Sequence, residues 1–240
     1  MLDHLEGKGS LEIVERDDGF ITVGGGPATY FAAVRQWPSV ERRAMRWVRG
    51  RVLDVGCGAG RGALLLQERG HPVTAIDVSP LAVEVARRRG VRDARVVPFE
   101  RVDRRLGRFD CVVMLGNNFG LFRSAAGARA MLRRLHAITG DDARIVAASN
   151  DPYRTDDRAH LAYHRLNRSR GRMPGQLRIR IRHRQYATPW FDYLLVSPKE
   201  MARLVGETGW AVRHLVSGSG GLYVGVLEKV TPKRPPAARR

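Results

Sequence analysis

The sequence predicts an α/β protein with a doubly wound, seven-stranded, mostly parallel sheet. Its last strand is antiparallel, and a β-containing insert follows the fifth strand. Three observations predict this fold. Short apolar runs alternate with amphipathic helical stretches from about residue 50 to 149, and such alternation implies parallel strands joined by right-handed crossovers. A glycine-rich turn, Gly56-Cys57-Gly58-Ala59-Gly60, follows the first of these runs. After Ser149 the rhythm breaks, and Arg178-Ile179-Arg180-Ile181-Arg182-His183-Arg184 alternates with period two, as a strand with one wet face does.

The elements follow in order. Residues 1–49 read as a leader with a short apolar stretch, Phe20 to Val23, and a helical cap running from Ala28 into Trp47, with Glu41, Arg42, Arg43 and Arg46 on its polar side. Residues 50–149 read as the core. Val52 to Val55 is a buried strand, and the helix after the glycine turn ends at Gly70, a residue suited to a C-terminal cap. Val73 to Ile76 is a second strand ending at Asp77, and Ser79-Pro80 opens the next helix with a capping hydroxyl and a proline in the first turn. Further strands lie near Ala94 to Val97, Phe109 to Leu115 and Arg144 to Ala148, with a helix over 125–138 between the last two. Residues 150–196 form the basic insert with a β-hairpin. Residues 197–230 supply the last helix and the closing strands, and 231–240 a disordered basic tail.

Composition narrows the class. With 240 residues, 43% of them hydrophobic, the chain can bury a full core. No apolar run nears the roughly 20 residues of a membrane span, and Met1 to Ser10 lacks the apolar stretch of a signal peptide. Cys57 and Cys111 sit among small or apolar neighbours and read as reduced thiols, so a cytoplasmic protein is expected. The net charge of +18 is uneven: nine arginines and no acidic residue lie between Arg158 and Phe191. Arginine-rich composition explains arginine over lysine, but not the missing acids.

The glycine turn alone is compatible with a dinucleotide site, since Gly58-Ala59-Gly60-Arg61-Gly62-Ala63 fits that pattern. Two acids argue otherwise. Asp54 precedes the turn at the strand end, where a carboxylate suits a cationic amino-acid cofactor and repels a pyrophosphate. Asp77, 21 residues beyond Gly56, stands where it can accept both hydroxyls of a ribose. Residues 52–61 resemble motif I of class I S-adenosylmethionine-dependent methyltransferases, and Ala75 to Pro80 resembles their second strand with its ribose-binding acid. The resemblance implies S-adenosylmethionine as cofactor, with S-adenosylhomocysteine as product and no metal. It assigns the methionine part to Gly56, Cys57, Gly58, Gly60 and Arg61, the amino group to Asp54, and the ribose to Asp77, with Val78 against the adenine. Glu100, with Asp103 as the alternative, is the candidate for the adenine amino group. Leu115, Gly116 and Asn117 follow the fourth strand at its carboxyl end, where open sheets bind ligands. Tyr30 and Phe31 are placed to close over the sulfonium by cation–π contact, or else pack in the core.

For the acceptor, Gly116-Asn117-Asn118-Phe119 lacks the proline-containing tetrapeptide of nucleic-acid adenine methyltransferases, and Asn150-Asp151-Pro152-Tyr153 comes one strand too late to supply it. The expected partner is therefore a small molecule, methylated on oxygen or nitrogen and possibly anionic, bound by a monomer or homodimer away from any membrane. Nucleic acid is the less favoured partner. Candidate catalytic residues are Tyr153, His160 and His164, the histidines lying four apart and so on one helical face. A neutral imidazole suits proton removal from a hydroxyl or ammonium. The same pair could bind a metal or simply be polar surface. Asn118, Tyr163, Arg180 and Arg182 are the candidates for acceptor binding, the arginines through their forked guanidinium groups. For the arginine strand the default remains a wet face. The alternatives to small-molecule transfer are a macromolecular methyltransferase docking through the insert and a cofactor-binding module without transfer.

Overall fold

The strongest apolar runs of the sequence become the central strands of a seven-stranded sheet. A computed structural model describes residues 1–9, 11–218 and 220–230, so the predicted tail lies outside the described residues. Before the core come α1 (Leu2–Leu5), the strands β1 (Ile13–Arg16) and β2 (Ile21–Val23), and the short helices α2 (Gly26–Phe31) and α3 (Ser39–Ala44). The core runs through β3 (Val52–Val55), α4 (Arg61–Glu68), β4 (Val73–Asp77), α5 (Pro80–Arg88), β5 (Ala94–Val96), β6 (Phe109–Met114), α6 (Ala125–Ala137) and β7 (Thr139–Asn150). The insert holds α7 (Arg158–Ser169), β8 (Gln176–His183), β9 (Tyr186–Ala187) and β10 (Phe191–Leu194). The chain then closes with α8 (Pro198–Gly206), β11 (Trp210–Ser217) and β12 (Leu222–Lys229).

The order across the large sheet is β11-β12-β7-β6-β3-β4-β5. β3 pairs in parallel with β4 on one side and with β6 on the other, so the winding reverses direction beside the glycine turn. β12, last in the chain, is antiparallel to both of its neighbours. One face of the sheet packs on α6 and α8 through Leu132, Leu135, Met201 and Leu204. The other packs on α3, α4 and α5 through Val40, Ala44, Leu66, Val83 and Ala86. At roughly 25 cal/mol per Å² of apolar area, these two layers supply most of the stabilisation.

Local signals formed as read. Ser79 Oγ accepts from the Ala82 amide at 3.3 Å, with Pro80 in the first turn of α5. Gly70 follows α4 at φ 84°, a left-handed conformation that glycine adopts without cost.

Two expectations need correction. The single helix from Ala28 into Trp47 is instead α2 and α3, with 3-10 turns at Val34–Gln36 and Met45–Trp47. Ala32 and Ala33 are extended, and so is Trp37, the residue before Pro38, whose ring disfavours helix in its predecessor. The leader is also more than a leader. β1 and β2 form a hairpin whose first strand pairs antiparallel with β8, giving a second sheet of order β10-β8-β1-β2, with β9 beside β8. This sheet roofs the carboxyl end of the large one.

Candidate active site

Between the two sheets lies a cleft of about 860 Å³. Its floor is the glycine turn. Gly56 takes φ 70°, and a Cβ there would stand 2.6 Å from Asn118 Nδ2, so side chains are excluded where the turn folds back. At Gly58 the nearest obstacle to a Cβ is Met1 Sδ at 3.7 Å, leaving that stretch of backbone open to a ligand. Asp77 accepts from the Gly58 amide at 3.0 Å and the Ser79 amide at 2.9 Å, and each oxygen can take a further hydrogen bond. Asp54 is 4% exposed, and burial pushes its carboxyl up to about 7, against the pull of Arg61 and the Ala63 amide. Burial also raises the Cys57 thiol, which is therefore protonated and inert.

Of the residues assigned to the cofactor, Tyr30, Asp54, Gly56, Cys57, Gly58, Arg61, Asp77, Val78, Glu100, Leu115 and Gly116 line the cleft. Val78 presents a 66% exposed side chain, an apolar surface suited to a base. Glu100 pairs with Arg123 at 2.7 Å on the rim. Asp103 instead binds Arg105 and caps a short turn. Gly60 lies outside the cleft: it begins α4 at φ 78°, against Val91 and Ala86, where a Cβ would clash. Asn117 also stands apart from the cleft lining. Its left-handed backbone offers its carbonyl to the Tyr193 hydroxyl at 2.7 Å. Tyr30 donates to Glu12 at 3.2 Å, whereas Phe31 is taken up by Arg89 and His4.

The candidates for the acceptor and the chemistry fall elsewhere. Tyr153, His160, Tyr163 and His164 do not line the cleft, because α7 packs against the end of β1 and the start of β8. Arg16 donates to His160 Nδ1 at 2.9 Å and lies over the Tyr163 ring at 4.1 Å. That bond occupies the imidazole lone pair a base would need. The Tyr163 hydroxyl donates to Asp17 at 2.6 Å and accepts the Arg178 amide at 3.1 Å. His164 is 6% exposed, its pKa lowered by burial, and it meets Tyr153 edge-on at 5.8 Å. Tyr153 in turn donates to Glu200 at 2.8 Å. Arg180 and Arg182 both hold Glu15, and Arg180 lies over Trp190. Asn118 reaches the cleft but spends its amide on the Val55 and Gly56 carbonyls, each at 2.9 Å, bracing the glycine turn. Among the described residues, no group of three or more His, Cys, Asp or Glu side chains could hold a metal ion. No described helix is long and apolar enough to cross a membrane.

Sequence reasoning missed several cleft residues. Glu41 was placed on a polar face, yet it is 1% exposed, accepting from Arg61 at 2.7 Å and from the Gly116 amide at 2.6 Å. Thr29 enters from α2 and Pro38 from the start of α3, and Ile181, Thr188, Pro189 and Phe191 come from the second sheet. The two isoleucines of the arginine strand carried the signal. If the arginines face water, Ile179 and Ile181 must face inward.

Fold and cleft together define a protein that holds a nucleoside cofactor at the switch point of a doubly wound sheet. Comparison with known proteins makes this specific. A methyltransferase-domain family model matches residues 52–141. A structure of an S-adenosylmethionine-dependent methyltransferase from Bacteroides fragilis, in complex with S-adenosyl-L-homocysteine, is similar over 96% of this chain and 92% of that one, with TM-score 0.80 and 26% identity. The 1,6-didemethyltoxoflavin-N1-methyltransferase of Burkholderia thailandensis shares the fold at TM-score 0.53 and 21% identity, over 80% of this chain and 79% of that one. A ubiquinone biosynthesis O-methyltransferase of Methylocella silvestris is 40% identical over 81 residues, which are 31% of this chain and 32% of that protein. The chain thus matches about a third of the length of that curated relative. Residues 52–141 are thus a methyltransferase domain of the class I fold, whose cofactor is S-adenosylmethionine.

Proposed function

We propose that this protein transfers the methyl group of S-adenosylmethionine to an oxygen or nitrogen of a small, neutral, largely apolar acceptor. One observation carries the reading: the cleft above the glycine turn is roofed by apolar side chains, and among the described residues the arginines that line it are ion-paired. Ile181, Pro189 and Phe191 come from the lid sheet, and Leu121, Phe99 and Leu222 from the core. The two arginines lining it are engaged, Arg61 with Glu41 and Arg123 with Glu100. An uncharged acceptor suits that apolar roof. This replaces the expectation of an acidic acceptor held by Arg180 and Arg182, whose guanidinium groups are committed to Glu15.

The cofactor, when bound, supplies an activated methyl group on a sulfonium with its leaving group built in. The chain's own contribution is position and dryness. The glycine turn and Asp77 hold the nucleoside and amino-acid parts, Tyr30 lies beside the cleft with its hydroxyl turned to Glu12, and the lid sheet excludes water. Much of such a transfer can come from orientation alone, and among the described residues no histidine lines the cleft to act as base.

The macromolecular alternative rested on the basic insert. Six of its arginines are ion-paired, sharing four carboxylates: Arg170 with Asp17, Arg172 and Arg178 with Asp192, Arg180 and Arg182 with Glu15, and Arg184 with Asp3. The acids missing from the insert itself come largely from the N-terminal residues, which favours an architectural role for the charge. Incubation with labelled S-adenosylmethionine separates the readings. Label should enter neutral ring hydroxyls or amines in preference to their carboxylated analogues; preferential labelling of RNA, weakened by salt, would overturn the proposal.

A further inference from the structure

The floor of the cleft carries more acid than base. Asp54, Asp77 and Glu41 line it, against the single guanidinium of Arg61. Glu41 is the unusual member. It comes from α3, ahead of the glycine turn in the chain and packed on the large sheet, and it is 1% exposed. A carboxylate withdrawn this far from water is costly unless it is paired and hydrogen-bonded. Glu41 Oε2 accepts from Arg61 at 2.7 Å and Oε1 from the Gly116 amide at 2.6 Å, so one side chain ties α3 to the start of α4 and to the turn after β6. Each oxygen can accept once more, and Arg61 has donors beyond the one that Glu41 uses.

We propose that Glu41 of α3 binds the amino-acid end of the cofactor. Its carboxylate accepts the α-ammonium, and Arg61 takes the α-carboxylate. The assignment rests on the reading of this cleft as the S-adenosylmethionine site. Four charges then alternate, Glu41, ammonium, carboxylate and Arg61, each beside an opposite sign in a dry site where such contacts are strongest. Burial holds the Asp54 carboxyl up to about 7, so at neutral pH it supplies only part of the countercharge an ammonium needs. Because Glu41 sits on α3, the cofactor's amino-acid end is held between that helix and the start of α4. The competing arrangement has Glu41 standing in for the cofactor's carboxylate on Arg61 and leaving when it arrives. The two make opposite predictions for removal of the Glu41 charge.

The test is titration calorimetry of wild-type protein and E41Q with three ligands: S-adenosylhomocysteine, its deaminated analogue, and 5′-methylthioadenosine, which lacks the whole amino-acid end. E41Q should weaken S-adenosylhomocysteine at least tenfold while leaving 5′-methylthioadenosine within twofold. The deaminated analogue should bind wild type and E41Q alike, since loss of the ammonium and loss of its partner are not additive. Equal weakening of all three ligands would make Glu41 a mere brace for α3 and overturn the proposal. Unchanged or tighter binding of S-adenosylhomocysteine by E41Q would overturn it in favour of the stand-in arrangement. Wild-type protein that binds none of the three would overturn the cofactor reading itself, and this inference with it. Should E41Q melt below the assay temperature, E41D, which keeps the charge and shortens the reach, is judged by the same outcomes.

Discussion

Glu15 on β1 lies between the guanidinium groups of Arg180 and Arg182 on β8, 2.8 Å from the first and 2.5 Å from the second. Glu15 and Arg180 are register partners in the antiparallel pair, so the contact follows directly from strand pairing between residues 165 apart in the chain. Hydrogen bonds from Arg180 and Arg182 hold the Glu15 carboxyl down at about 2, below its ordinary 4.5. A carboxyl whose pKa is lower folded than unfolded stabilises the fold above the unfolded value, and the gain is lost as pH falls through the folded one. E15Q should therefore melt below wild type at pH 7, and the gap should close as pH drops from 4.5 toward 2. Melting curves across that range check it; a gap independent of pH would mean the ion pair is not its source.

That contact also marks the limit of what the sequence revealed. The β3–turn–α4–β4 unit was legible because its signals are local: Asp54, the glycines, Gly70 and Ser79-Pro80 act within a few residues of where they stand. The roof was not. Arg180 and Arg182 read as free guanidinium groups because their partner lies in a stretch, Ile13–Arg16, too short to announce itself as a strand. Glu41 was misread for a different reason: a helical polar face was inferred for a helix that breaks before Pro38, and the break turns α3 inward.

Asp54 reverses the usual sign. Its folded pKa of about 7 lies above the ordinary 3.8, so between these values the native state holds more protons and ligand-free protein loses stability as pH rises. Binding of a cationic amino group needs the ionised form, so affinity for S-adenosylhomocysteine should fall by up to about tenfold per pH unit below 7. In D54N that slope should flatten. Asp77, whose pKa burial also raises, remains in both proteins, so the difference between them isolates Asp54.

The Tyr193 hydroxyl bonds to the Asn117 carbonyl at 2.7 Å, joining β10 of the lid to the turn after β6. Y193F keeps the shape and leaves that carbonyl without its partner. Chemical denaturation should show a loss of roughly 1 kcal/mol. No loss would mean that the lid does not lean on this bond.

His160 and His164 belong to the packing of α7 on β1, outside the cleft. H160Q and H164N should therefore lower the melting temperature while leaving affinity for S-adenosylhomocysteine within about twofold. A large loss of affinity without loss of stability would return them to the site.

The central claim is that the glycine turn and its two acids form the S-adenosylmethionine site, and Asp77 tests it most directly. Its carboxylate already braces the turn through Gly58 and Ser79, and both oxygens can still accept from a ribose diol. Two charge-assisted hydrogen bonds are worth about 1.5–3 kcal/mol each. Titration calorimetry of D77A with S-adenosylhomocysteine should accordingly show binding at least tenfold weaker than wild type, the folded state being checked by its melting curve. Wild-type affinity in a folded D77A would contradict the account.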